Sequence, residues 1–251
     1  MLLAEMNWPA VAALSKDTPI ALPLAALEQH GHHLPVFTDT LLVGEITRRA
    51  EQQLHDSVLF APVMWLGNSE HHMDFPGTMS ASPRAYIDVV VDMIENFIAH
   101  GFRRIVLVNG HGGNNVPGQQ ATFEVRQRHR TRDDLLLLFA CYWALGAQPR
   151  QNDPSLEQSA MGHACEWETS MILALRPDLV GDYRAAKTVD PAGRFDPVQQ
   201  AWTTKDRSPV GHIGSPAVAS AAKGEKLLEL FTTDLVNLLG RVVQWNGSRW
   251  S

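Results

Sequence analysis

The sequence predicts a three-layer α/β/α fold with a mostly parallel central sheet. Three observations carry this expectation. Short aliphatic and β-branched runs, such as Arg104–Asn109 (RIVLVN), are apolar on both faces, as strands covered on both sides must be. These runs alternate with longer stretches of helical periodicity, the pattern of βα units. The polar segments rich in histidine and glycine each follow directly on a strand run, which is where such sheets place their sites.

Ile20–Leu27 reads as the first buried strand, with Pro23 marking an irregularity because proline cannot donate to a ladder. A helix is expected from Asp39 to Leu54, with Leu42, Ile46 and Ala50 on one side. Val58–Trp65 reads as a second strand. Ser82-Pro83 supplies an N-cap and a first-turn proline. From there Tyr86, Val90, Met93, Ile94 and Phe97 recur at helical spacing until Gly101. Arg104–Asn109 is the third strand, Gln119–Arg130 a helix and Leu135–Tyr142 the fourth strand. Another helix starts at Glu166 and runs to Leu175. Lys226–Val243 is a closing amphipathic helix with Leu227, Leu228, Phe231, Leu235 and Leu238 toward the core. No repeat or low-complexity linker divides the chain, so residues 1–251 read as a single domain.

Composition narrows the function. Hydrophobic residues make up 45% and charged residues 19%, enough apolar material for a large core. The net charge of −6 and the lack of a Lys/Arg run argue against nucleic acid as a partner. The longest apolar stretch, Leu135–Ala147, falls short of the ~20 residues that span a bilayer. The N-terminus has no basic segment followed by an apolar one, so no signal peptide is expected there. Cys141 and Cys165 are too few for a disulfide framework and read as reduced thiols of a cytoplasmic protein.

The densest chemistry lies at Glu28-Gln29-His30-Gly31-His32-His33, closed by Asp39. Burying such a group is costly unless its charges are paired or hold a metal. Glu28 and His30 are two apart, so an extended segment points both to one side. Asp39, at the start of a helix, is either a ligand brought back by the turn or simply a cap. Asn109-Gly110-His111-Gly112-Gly113-Asn114 leaves the third strand at the same sheet edge, which joins His111 to Glu28, His30 and Asp39 as candidate ligands. Its alternative is a glycine-rich anion-binding turn, although it lacks the residues of a P-loop. His163, Glu166 and Glu168 can supply a further carboxylate and a group that moves protons, or they are ordinary residues of a helix start. Cys165 as a nucleophile beside His163 is the weaker option, because no basic residue close in sequence lowers its pKa. Gly67–His72 reads as a polar loop on the same edge. Trp143, Trp167 and His212 are candidates for the pocket walls.

These motifs together resemble the creatininase (creatinine amidohydrolase) family. The resemblance rests on Leu27-Glu28-Gln29-His30-Gly31 with Leu34-Pro35 and Thr38-Asp39-Thr40, on Glu70-His71 with Phe75-Pro76-Gly77-Thr78, on Asn109–Asn114, on His163 with Glu168-Thr169-Ser170, and on Gly211–Ala219. It implies an α/β/α domain, two divalent metal ions per subunit, and commonly a homohexamer. The ions are expected to be zinc, with manganese or iron as alternatives. Carried over by motif, Glu28, Asp39 and His111 would hold one ion, and His30 and Asp39 the other, with Asp39 bridging. His163 would be catalytic, relaying a proton, and Glu168 would orient His163 or the ligands. Creatininase proper has a ligand glutamate two residues after the equivalent of His111, where this chain has Gly113. Glu166 is inferred to replace it. The expected activity is therefore hydrolysis of a non-peptide C–N bond in a small amide, cyclic amide or formamide, by a hydroxide shared between the ions. The rivals are a mononuclear metal hydrolase or lyase, and a non-catalytic metal- or nucleotide-binding protein.

Overall fold

The computed structural model describes residues 1–146, 148–190, 195, 198 and 200–247. Its centre is a four-stranded parallel sheet of order β2-β1-β3-β4, built from β1 (Ile20–Leu24), β2 (Leu59–Phe60), β3 (Arg104–Asn109) and β4 (Leu136–Cys141). The helices are α1 (Trp8–Ala13), α2 (Thr38–Leu54), α3 (Pro83–Ala99), α4 (Asn115–Arg128), α5 (Pro149–Asn152), α6 (Glu166–Leu175), α7 (Thr204–Arg207) and α8 (Ala221–Val243).

Strand alternation distributes the core between two layers. Ile20, Leu22 and Leu24 of β1 and Ile105 and Leu107 of β3 pack with Tyr86, Val90 and Ile94 of α3 and Ala121 and Val125 of α4. Ala21, Val106 and Val108 face the other way, onto Leu42 and Ile46 of α2, Trp167 and Met171 of α6, and Leu227, Leu228 and Phe231 of α8. Both faces are dry, so the strands read as continuous apolar runs rather than as alternating ones.

The expected elements are present with shifted bounds, and the largest shift has a clear cause. The second strand, expected over Val58–Trp65, is paired only at Leu59 and Phe60. Pro62 lies just beyond, and an isolated bridge from Leu24 to Met64 resumes the contact. Ala21 and Pro23 both send their carbonyls toward this neighbour, accepting from Ala61 N and Met64 N, and Ala25 N donates to Met64 O. The missing N–H of Pro23 therefore falls opposite the gap that Pro62 makes in the partner. A proline in an inner strand is tolerated because its neighbour is broken at the same level.

Among the described residues, no helix is long and apolar enough to cross a membrane.

Candidate metal centre

The site is assembled where β1 and β3 end. After β1 the chain runs through Ala25–Leu27 to Glu28, whose N–H donates to Val36 O. Gly31 takes φ +65° at the turn between them, a conformation that favours glycine. That closed loop returns the chain to α2 with Asp39 in its first turn. Asp39 caps nothing: Phe37 occupies the cap position, and the Asp39 carboxylate points at imidazoles instead.

The segment after β3 is a clasp rather than a phosphate cradle. Asn109 donates to His111 O and Asn115 Oδ1. Asn114 donates to Ala25 O and accepts from Asn68 N, tying together the chain after β1, the chain after β3 and the 67–72 loop. Gly113 sits against Asn68 O and His111, and a Cβ there would collide with both. No side chain can be accommodated at this position in this backbone conformation.

Glu28, His30, Asp39, His111, His163 and Glu168 converge with their side chains buried or nearly so. His30 Nε2 lies 3.1 Å from Asp39 Oδ1 and 3.9 Å from Glu168 Oε1. His111 Nδ1 lies 2.9 Å from Asp39 Oδ2 and 3.3 Å from Glu28 Oε1. The opposite nitrogen of each ring is already committed. His30 Nδ1–H donates to Glu28 O at 3.0 Å, and His111 Nε2–H donates to Asn68 O at 3.0 Å. The nitrogens facing the carboxylates therefore carry lone pairs in the neutral rings, and lone pairs facing carboxylate oxygens require a cation between them. Glu28 Oε2, Asp39 Oδ2 and Glu168 Oε2 are buried without a hydrogen-bond partner. Three orphaned carboxylate oxygens and two directed imidazoles, all within one cluster, fit a divalent ion with oxygen and nitrogen ligands.

The titration behaviour has the same origin. Burial disfavours the imidazolium of His30, but Asp39, Glu168 and Glu28 outweigh it and raise the pKa to about 9. His111 is likewise raised well above the ordinary value, against burial, by Glu28 and Asp39. Burial pushes Glu168 up to about 7, opposed by His30 and assisted by Asp39 and Glu28. Glu28 is held well below the usual carboxylate range because His111, His72 and His163 overcome the effect of burial. The carboxylates thus favour a positive charge on the sides of His30 and His111 that face them.

His163 is placed by backbone pairing with Ile213, and Ala164 follows it at φ +47°. His163 Nε2–H donates to Gln29 O at 2.7 Å, which leaves Nδ1 bare, 3.5 Å from Glu28 Oε1. Burial and the charge on His30 lower its pKa to about 3, so the ring is neutral at pH 7.

The expected replacement ligand, Glu166, is not brought to the cluster. Its carboxylate is buried on the other side of α6, accepting from Lys223 Nζ at 2.6 Å and from Glu157 N and Gln158 N. Glu168, two residues on, is the carboxylate that faces His30. Of the proposed wall residues, Trp143 lines the cavity, whereas Trp167 is buried against Phe231 and His212 bonds to Lys187 O. His33, in the same motif as His30, donates to Ala164 O and so braces the turn after His163. Cys165 is fully buried, and burial pushes its thiol up to about 12, the reverse of an activated nucleophile.

Three contributors were missed. His71 stacks on His111 at 5.8 Å, and His72 Nε2 lies 3.4 Å from Glu28 Oε1. Gln29 accepts from Gly31 N and donates from Nε2 to Gly211 O and to His72 Nδ1 at 2.7 Å. His72 Nδ1 is thus an acceptor and its Nε2–H faces Glu28. The position of residues 67–72 on the shared edge was the available signal.

The cluster forms the floor of an open cavity of about 1080 Å³.

Comparisons with known proteins bear on the family and the fold. The family model for creatininase (creatinine amidohydrolase) matches residues 4–239. The chain is 30% identical over 244 residues to the creatinine amidohydrolase of Pseudomonas putida, covering 91% of this chain and 92% of that protein. It is 28% identical over 252 residues to the mycofactocin precursor peptide peptidase of Mycobacterium ulcerans, covering 97% and 92%. A solved mutant creatininase of Zn-Zn type is 29% identical and superposes with a TM-score of 0.81 over 96% of this chain and 97% of that one. A match that runs from the first helix to the last turns of α8, and takes in every residue of the buried cluster, makes this chain a member of the creatininase family.

Proposed function

We propose that the protein is a metal-dependent hydrolase of a non-peptide C–N bond: an amide, a cyclic amide or a formamide. The observation that carries the reading is the convergence of three orphaned carboxylate oxygens with two imidazole lone pairs on the floor of an open cavity. Glu28, Asp39 and His111 would hold one divalent ion, and His30, Asp39 and Glu168 a second. In this scheme Glu168 takes the place left by Gly113. Zinc suits the donor set, as do manganese and iron. When bound, such ions supply Lewis acidity and make water acidic enough to attack a carbonyl at neutral pH.

The chain's own groups then have separable tasks. His163 turns the nitrogen not bound to Gln29 O toward the cluster, so Nδ1 is placed to take a proton from the attacking water and pass it to the leaving nitrogen. His72 keeps its proton on Nε2 and orients Glu28 through it. Gln29 holds both rings in register by fixing the tautomer of His72 and accepting from His163. Asn109 and Asn114 fix the backbone that carries His111.

The test is turnover of a panel of lactams, formamides and simple amides by zinc- or manganese-loaded protein. We expect cleavage of at least one compound class, loss of that activity on chelation, and its return on adding metal. His163→Asn should retain its metal while kcat falls by about 10²–10⁴-fold. Turnover that survives chelation, or a fully active His163→Asn, would overturn the reading.

A further inference from the structure

The asparagines around His111 are oriented by backbone anchors. Asn68 N–H donates to Asn114 Oδ1, and Asn114 Nδ2 donates to Ala25 O. His111 N–H donates to Asn109 Oδ1, and Asn109 Nδ2 donates to His111 O at 2.7 Å. Main-chain N–H groups only donate and main-chain carbonyls only accept, so nitrogen and oxygen cannot be exchanged in either amide. The second hydrogen of Asn109 Nδ2 is directed at Asn115 Oδ1, 2.8 Å away. The Cys141 thiol, at the end of β4, donates to the same oxygen at 2.9 Å. Asn115 Oδ1 is therefore an acceptor held by two donors, and flipping its amide would set NH2 against NH2.

Asn115 differs from its neighbours in what remains unused. Asn109 and Asn114 are fully buried, and both ends of each amide are occupied. Asn115, the first residue of α4, is half-buried and lines the cavity beside His111. Its oxygen is taken up by the protein, while its Nδ2 has no hydrogen-bond partner among the described residues. The Asn109 amide that bonds Asn115 Oδ1 also bonds His111 O, so one group fixes this donor relative to the candidate ligand. With Oδ1 occupied, Asn115 offers nothing to a ligand N–H. An acceptor-only group, a carbonyl oxygen, is the match for the NH2 that is left.

The structure assigns Asn115 Nδ2 as a substrate-binding donor, and with it a substrate that carries a second, neutral carbonyl oxygen apart from its scissile C–N bond. This rests on the hydrolase reading for the word substrate, but the binding claim can be tested without turnover. A donor already oriented by the protein loses little freedom on binding. A neutral hydrogen bond of this kind changes affinity by about three- to tenfold.

The test is calorimetric binding of matched formamides to zinc-loaded protein. N-(2-oxopropyl)formamide, N-(3-oxobutyl)formamide and N-(4-oxopentyl)formamide place a ketone at increasing distance from the formyl group. Each is compared with the branched alkylformamide of the same shape, in which CH–CH3 replaces C=O. At a preferred spacer length the ketone should bind about three- to tenfold tighter than its alkyl partner. The side-chain amide protons of Asn115 should shift in NMR spectra on adding that ketone and stay in place with the alkyl partner. Asn115→Asp keeps an oxygen facing Asn109 and Cys141 and replaces the NH2 with a second oxygen. In it the ratio should fall to one or below, while zinc content and alkylformamide affinity stay constant. A ratio near one at every spacer length in the unmodified protein, or no binding of any ketone, would overturn the proposal. So would a ratio that persists in Asn115→Asp, since the ketone would then sit on the metal cluster or elsewhere on the wall. A parallel loss of zinc or of alkylformamide affinity in Asn115→Asp would reduce Asn115 to a structural role and also overturn it. If the probes bind with the expected ratio but none is cleaved, the hydrolase reading fails and the donor site stands. If they are cleaved with no preference for the ketone, the donor site fails and the hydrolase reading stands.

Discussion

Glu166 and Glu168 share the first turn of α6, two residues apart and both buried, yet they meet opposite surroundings. Glu166 is fully satisfied by an ammonium and two backbone N–H groups. Glu168 keeps an oxygen with no partner and faces His30 Nε2 at 3.9 Å. Residues at i and i+2 lie on different sides of a helix, so only one of the two can face the cluster. The difference teaches how to tell a structural carboxylate from a ligand. A buried charge whose partners belong to the chain locks the fold, whereas one whose partners are missing is waiting for something the chain does not supply.

Three substitutions or conditions would break or sharpen that contrast. The largest effect is expected at Asp39, whose two oxygens face different imidazoles. Asp39→Ala should lose both ions by metal analysis and lower kcat/KM by 10³-fold or more, roughly 4 kcal/mol. An Asp39→Ala protein with full metal content would remove the bridging role.

Next comes Glu166→Gln, which leaves Lys223 with a buried, uncompensated charge. Chemical denaturation should show a loss of about 3–5 kcal/mol, the ordinary result of removing one partner of a buried pair. A change below about 1 kcal/mol would mean that Glu166 is not the lock described above.

The smallest effect concerns pH in the chelated protein. His30 has its pKa raised from 6.5 to about 9, so its contribution is complete below 6.5 and is lost as pH rises through 9. Glu168 is also raised, from 4.5 to about 7, and acts in the same direction over a lower window. Glu28 is lowered, so its contribution disappears only in acid. Chelated protein should therefore lose stability, on the order of 3 kcal/mol, between neutral pH and pH 9. Metal-loaded protein should show a flatter profile there, because its ligands are already deprotonated. Identical profiles with and without metal would contradict the protonated-imidazole account.

Much of this was readable from the chain because the βα pattern places strand ends on one edge. Glu28, His30, Asp39 and His111 needed only that rule and the spacing of their motifs to be grouped. His163 stood among the candidates for moving protons, the family resemblance gave it the catalytic position, and the structure places its bare nitrogen beside Glu28. What sequence could not settle was set by distant partners. The choice between Glu166 and Glu168 depends on Lys223, 57 positions away, and on backbone N–H groups at Glu157 and Gln158. His71 and His72 were passed over because a 3-10 turn has no hydrophobic period to place its side chains. Gln29 lies between two candidate ligands and was assigned no role, because its role appears only when Gly211 and His72 come within reach. The second strand was overextended because the apolar run continues past Pro62, where the regular pairing stops.

Metal stoichiometry per subunit in Glu168→Gln and Glu166→Gln, measured side by side after zinc loading, tests the central claim most directly. The account predicts two ions in the unmodified protein, one in Glu168→Gln, and two in Glu166→Gln despite its lower stability. One ion in Glu166→Gln together with two in Glu168→Gln would contradict it and return the ligand role to Glu166.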